Sequence, residues 1–163
     1  MTVTPGKFVR IMAAFPTGVA VVTVTSSDGT PRRLTTHAVT GVSLRPPILL
    51  VRVNITSHTL RTIGTGPRFA VNFMRSDAEQ LCLVFASKGD DKFEQVPWRP
   101  TTAGAPLLHQ CAIPHASSLE HDVELGDHAV LAGLVSAGSP PDGDSEPILY
   151  FRRSFHLAPS EAA

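Results

Sequence analysis

Several short stretches carry residue types that do chemistry. In "FASKGDDKF", residues 85–93, Lys88 and Lys92 bracket Gly89, with Asp90 and Asp91 between them. By itself that pattern reads first as a solvated turn after a helix, although Gly89 could also let the backbone turn closely past a ligand while two ammonium groups face an anion. In "VNITSH" the polar residues Asn54, Thr56 and Ser57 follow an apolar run. Such residues cap a helix, and the free N–H groups and dipole of a helix start also seat a phosphate, so the two roles can coexist. The segment "HASSLEHDVELGDH" gathers His115, Ser117, Ser118, Glu120, His121, Asp122, Asp127 and His128. In an extended strand His115 and His121 lie an even number apart and share a face, but this is not by itself a ligand set. We read most of these side chains as lining a wet face or a turn, and expect no metal. The glycines of "GTGPRF" lead into a strand through Pro67, so they form no dinucleotide loop, and neither GxxxxGK[ST] nor GxSxG occurs.

The elements that must position these residues are mostly strands. "KFVRIMAAF" has helical spacing and stops at Pro16. "GVAVVTVTS" and "RRLTTHAVTGVSL" flank the turn signal "SSDGTP" and predict a hairpin of two strands. "PPILLVRVN" predicts a third strand, and "TSHTLRTIG" a short helix capped by Thr56 or Ser57 and stopped by Gly64. "RFAVNFM" reads as a strand, and "SDAEQLCLVFA" as a helix opened by a Ser76, Glu79 capping box. A proline-rich loop over "VPWRPTTAGAPLL" precedes strands near 111–121, 128–136 and 148–153. Strands with helices only at the connections exclude an alternating parallel sheet and favour a closed antiparallel barrel, which removes exposed edges.

Composition narrows the classes further. A chain of 163 residues, 42% hydrophobic, is sized for a single domain spanning 1–163. Its 14 basic and 14 acidic residues cancel, so no global field recruits nucleic acid or a membrane. Cys82 and Cys111 lack CxxC spacing and suit reduced, buried thiols in a cytosol. The N-terminus carries no long apolar segment with a cleavage pattern, and the expectation is a soluble, cytoplasmic protein.

In order along the chain, "FPTGVAVVTV", "THAVTGVSLRPPILLVRVN", "SHTL", "RFAVNFM", "FASKGDDKF", "PWRP" with "GAPLL", and "LGDHAVLAGLV" resemble the flavin reductase-like family of FMN-binding split barrels, typified by the reductase components of two-component flavin monooxygenases. Each motif alone is weak; the ordered set from Phe15 to about Phe155 is specific. The resemblance implies a mainly β fold, a six-stranded antiparallel Greek-key split barrel with short connecting helices. It implies a homodimer with flavin at the subunit interface. It also implies NADH or NADPH reducing FMN or FAD, and reduced flavin released to a flavin-dependent oxygenase.

Residue roles follow from the same resemblance. Thr35, Thr36 and His37 stand where relatives touch the flavin ring, although threonines are common in strands on β-propensity alone. Lys88, Gly89 and Lys92 fall on the flavin's phosphate side, as do Asn54, Thr56 and Ser57. Phe85 and Phe93 offer ring surfaces, with core packing expected for at least one. His128, in "GDH", is the expected catalytic residue, facing the nicotinamide. The chain departs from the family pattern at His37, Val39, Gly41 and Arg45, and "CAIPHASSLEHDVE" lacks the usual aromatic and acidic pattern, with Pro114 requiring an edge or a bulge. A flavin reductase is therefore the leading expectation. A split-barrel enzyme with a changed pocket acting on a small biosynthetic intermediate, and a non-catalytic flavin-binding protein, are the alternatives.

Overall fold

The structure is a computed structural model that describes residues 2–65, 68–87, 91–94, 96–101, 104–109, 111–139 and 145–158, with backbone alone at 65, 91 and 112–116. The chain runs through α1 (Pro5–Met12), β1 (Thr17–Gly18), β2 (Ala20–Thr25), β3 (Pro31–Thr36), β4 (Val39–Leu44), β5 (Pro47–Asn54), α2 (His58–Thr65) and β6 (Arg68–Met74). It continues through a 3-10 turn (Ser76–Ala78), α3 (Glu79–Ala86), a second 3-10 turn (Asp91–Phe93), β7 (Trp98–Pro100), β8 (Pro106–Leu108), β9 (Cys111–Leu125), β10 (His128–Gly138), β11 (Ile148–Phe151) and β12 (Ser154–Leu157).

The fold is mainly β and every strand pair is antiparallel, as expected. The expected six strands become a main sheet of seven, ordered β3-β2-β6-β9-β10-β5-β4, with a three-stranded sheet β1-β11-β12 and a two-stranded ribbon β7-β8 beside it. β5 and β6 are joined only through α2, yet the β9–β10 hairpin lies between them, a Greek-key connection. Flat, β2 and β5 would stand about 19 Å apart, four spacings of roughly 4.8 Å. Instead Val22 and Val24 of β2 share one buried cluster with Leu49, Val51 and Val53 of β5, so the sheet is rolled around its core. Ile63 of α2 plugs into the same cluster.

β2 is buried on both faces, which is why "AVVTV" reads as a continuous apolar run. Its other face packs in a second cluster with α3, β8 and β11, through Val21, Cys82, Phe85, Leu108 and Ile148. A polar network lies between the two layers. Asn72, fully buried, donates to Val21 O (3.0 Å) and Thr23 Oγ1 (3.2 Å) and accepts from Leu108 N (2.9 Å), while Thr23 Oγ1 donates to Pro106 O (2.5 Å). Buried groups satisfied in this way fix the β7–β8 ribbon against the sheet.

Several sequence expectations are corrected. "RRLTTHAVTGVSL" is two strands, because the chain breaks at His37–Ala38 and moves from pairing with β2 to pairing with β5. The Ser76, Glu79 capping box does not form: a 3-10 turn precedes α3, and neither helix start has a side-chain cap. Of the two expected caps of α2 it is Ser57 that serves, accepting from Thr59 N (3.2 Å), whereas α2 runs one residue past Gly64. The proline-rich loop contains the β7–β8 ribbon, and the last strand is a hairpin turning at Arg152 and Arg153, both at positive φ. Pro114 pairs with Asn72 just where the pairing of β9 with β10 has ended at His115, so it occupies the edge position its missing N–H requires. A register shift opposite Glu120 interrupts the alternation between His115 and His121, which removes the simple argument for a shared face. Among the described residues, no helix is long and apolar enough to cross a membrane, and no group of three or more His, Cys, Asp or Glu could hold a metal ion.

Among the described glycines, Gly133 is the one closely hemmed in by the core. A Cβ there would lie 2.7 Å from Phe69 Cζ and 3.1 Å from Ser117 Cβ, both in fully buried residues. Gly133→Ala should therefore lower the unfolding free energy by about 1–3 kcal/mol, read as a lower urea midpoint at unchanged slope. An unchanged midpoint would mean that the Phe69 ring gives way freely.

Candidate functional site

The break after β3 creates the first part of the site. Thr36, buried, donates through Oγ1 to Arg52 O (3.4 Å) and accepts from Ala38 N (3.2 Å), while Arg52 N donates to Ala38 O (3.0 Å). This corner leaves His37 exposed and stacked on Tyr150, with ring centroids 5.2 Å apart and planes at 22°. Desolvation and then the Arg52 charge hold the His37 pKa below its ordinary value, favouring the neutral ring. Thr35 is engaged elsewhere: its Oγ1 donates to Cys82 O (3.1 Å), tying β3 to α3.

The second part lies two residues further along β5. Asn54 Oδ1 accepts from Thr56 N (2.9 Å) and Thr56 Oγ1 (2.6 Å), and Ser57 N donates to Asn54 O (3.0 Å). The side chain of Asn54 thus shapes the bend that presents the start of α2. The two-residue turn Gly126–Asp127, with Gly126 at φ +64°, joins β9 to β10. It is latched to this bend by Ile55 N donating to Asp127 O (3.2 Å). The Asp127 carboxylate lies 2.7 Å from His128 Nδ1, and that hydrogen bond, foremost, keeps the Asp127 pKa below its usual range. A carboxylate only accepts, so Nδ1 carries the proton and Nε2 is left for a ligand.

Register brings the two parts together. Rows across β5, β10 and β9 read Asn54–His128–Leu125, then Arg52–Val130–Val123, then Leu50–Ala132–His121. On β5, Leu49, Val51 and Val53 point into the core, so Arg52 and Asn54 share the outer face with His128. The sequence reasoning passed over Arg52. Its only signal was a charge interrupting "ILLVRVN" at an outward position of an alternating strand.

Other expected residues stand further back. Phe85 is 2% exposed, packed against Phe93 at 5.1 Å and under the Arg33 guanidinium at 5.6 Å, so its ring faces are already occupied by the protein. Lys92 Nζ donates to Val84 O (2.8 Å) and to Ser87 Oγ, placing its charge at the C-terminus of α3, where the helix dipole welcomes a cation. Lys88 and Gly89 lie outside the described residues, as does the side chain of His115. Burial pushes the thiols of Cys82 and Cys111 up to about 12 and about 11, so neither is a ready nucleophile.

The donor set suits a flavin nucleotide. The polar groups of the corner and the bend are bonded within the protein, and beside them His37, the Arg52 guanidinium and His128 Nε2 are left to meet a polar, anionic ligand of that kind.

Comparison with known proteins identifies the family. The family model described as "Flavin reductase like domain" matches residues 12–158. The chain is 39% identical over 156 residues to "Flavin reductase (NADH)" of Kitasatospora aureofaciens, covering 94% of this chain and 82% of that one. It is 30% identical to the flavin-dependent monooxygenase reductase subunit HsaB of Rhodococcus jostii, over 93% of this chain and 76% of the relative. Among solved structures, the NADH:FAD oxidoreductase SgcE6 of Streptomyces globisporus, in complex with NAD and FAD fragments, superposes at a TM-score of 0.89, with 30% identity and 99% of each chain covered. A crystallised oxidoreductase of Sinorhizobium meliloti also superposes at 0.89 with 30% identity over 94% of this chain, which spans 53% of that longer protein. With residues 12–158 matched by the family model, the chain belongs to the flavin reductase-like family.

Proposed function

We propose that this protein is an NAD(P)H-dependent flavin reductase, one domain over 1–163, that releases reduced FMN or FAD to a partner monooxygenase. The observation that carries the reading is the meeting of the Thr36–Ala38 corner, the Asn54–Ser57 bend and the Asp127–His128 pair along β5 and β10. The flavin, bound as a dissociable substrate, accepts at N5 the hydride that leaves nicotinamide C4. The protein's part is orientation and charge. Thr36 fixes the corner, and with His37 it lines the ring edge. Asn54, Thr56 and Ser57 shape the phosphate seat. Lys88 and Gly89, outside the described residues, are kept as further candidates for the phosphate, while Thr35, Phe85 and Lys92 support the site from behind through α3. His128, held by Asp127, offers Nε2 to the carboxamide and sets the nicotinamide ring over the flavin. No covalent step is required. The free thiols of Cys82 and Cys111 suit a reducing cytoplasm.

The active unit is proposed to be a homodimer. Val123 and Leu125 are 54% and 61% exposed on the rows that carry Arg52, Asn54 and His128, so an apolar surface adjoins the site on the same face. A second copy covering that surface would enclose the site as well. Val123→Asp should convert a dimer to a monomer in sedimentation at micromolar concentration; a wild-type monomer that still binds flavin would remove the shared site.

Turnover is tested by mixing the purified protein with FMN or FAD and NADH or NADPH and following nicotinamide absorbance. At least one pair should be consumed well above the rate without enzyme; none being consumed would defeat the reductase reading.

His128→Ala separates orientation from folding. The expected result is a fall of roughly 10- to 100-fold in kcat/KM for the nicotinamide, about 1.4–2.7 kcal/mol, with flavin affinity within about twofold and the melting curve unchanged. Retention of full efficiency by the folded variant would exclude His128 from nicotinamide positioning.

A further inference from the structure

Arg52 is the charge for which the fold itself has no use. Its backbone is fully engaged, N–H with Ala38 O and carbonyl with Thr36 Oγ1, while its exposed guanidinium has no hydrogen bond or ion pair among the described residues. Across its row stand Val130 and Val123, and Leu50 precedes it on its own face of β5. A cation on so apolar a face is costly to cover unless an anion meets it there. The Asn54–Ser57 bend, the proposed phosphate seat, lies at the end of β5, beyond the row that carries Arg52. Arg52 stands between that bend and the ring-edge corner, with the corner bonded to its backbone and His128 one row away.

Resting on the flavin reductase reading, we propose that Arg52 is the cation that meets the negative charge gained by the flavin ring, making this site selective for the reduced over the oxidised ring. The balance is simple. Two electrons and one proton pass as hydride from nicotinamide C4 to flavin N5. The C4–H bond breaks, the N5–H bond forms, the nicotinamide leaves oxidised and cationic, and the added negative charge spreads over N1 and O2 of the ring. A planar guanidinium with paired N–H donors matches that two-atom locus, where a lysine would offer only a point charge. The Arg52 charge also reaches both sides of the site. It stands behind desolvation in lowering the His37 pKa, and behind the His128 hydrogen bond and charge in lowering that of Asp127.

The test is binding rather than turnover. Riboflavin and FMN, each oxidised and dithionite-reduced, are titrated anaerobically into wild type, Arg52→Gln and Arg52→Lys, with melting curves for all three. Arg52→Gln should bind oxidised riboflavin within about twofold of wild type and reduced riboflavin about tenfold more weakly, with Arg52→Lys between them. Equal affinity of wild type and Arg52→Gln for reduced riboflavin would overturn the proposal. So would a loss seen with FMN in both redox states and absent with riboflavin, which would assign Arg52 to the phosphate. If wild type binds no flavin in either state, the reductase reading falls and this assignment with it, an outcome distinct from wild type and variant binding alike.

Discussion

The transfer of the chain at His37–Ala38 is the constraint on which the site depends. β3 can pair with β2 only as far as Thr36, and β4 must begin by pairing with β5, on the far side of the rolled sheet. Within two residues the backbone loses one partner and must find another, and Thr36 Oγ1 and Ala38 O find theirs on Arg52. The groups satisfied there are the ones that close the seam between the two edge strands. Those around them, His37 and the outward side chains of β5, remain available to a ligand. A barrel closed by a full ladder would have spent the same groups on its own pairing.

The surrounding packing keeps that seam from drifting. Thr59 Oγ1 of α2 donates to Arg33 O (2.6 Å) and Thr35 Oγ1 to Cys82 O, so both neighbouring helices are hydrogen-bonded to the edge strand β3. An edge covered in this way offers little to another chain. On the opposite layer, Asn72 serves the sheet and the β7–β8 ribbon at once, using both ends of its amide. Lys92 closes the C-terminus of α3.

Electrostatics here are local. Equal numbers of acidic and basic residues give the chain no long-range pull on anionic nucleotides, so selectivity must come from groups within a few ångströms. The site's carboxylate, Asp127, is engaged by His128, and a neutral His37 adds no charge of its own. Among the described residues of the site, the Arg52 guanidinium and the His128 Nε2 are left uncommitted. Binding of this kind is consistent with a substrate that must come and go.

The sequence by itself determined the β class, the position of most strands and the family, because alternation, turn residues and ordered short motifs are local signals. "RFAVNFM" and "GDH" were legible for that reason, as was the bend after Asn54. It did not determine the split of "RRLTTHAVTGVSL", since the residues at the break alternate as a strand would, and only the competing demands of β2 and β5 end one strand and start the next. The capping box failed for a similar reason: Ser76 N is bonded to Glu146 O, and a 3-10 turn takes the place of the first helical turn. Phe85 and Lys92 carry the right chemistry in the right order, yet the tertiary structure spends one on the core and the other on a helix end. Arg52 shows the converse. Its charge interrupts an apolar run, but its place between the corner and His128 comes from pairings with residues as distant as Val130, which only the rolled sheet decides.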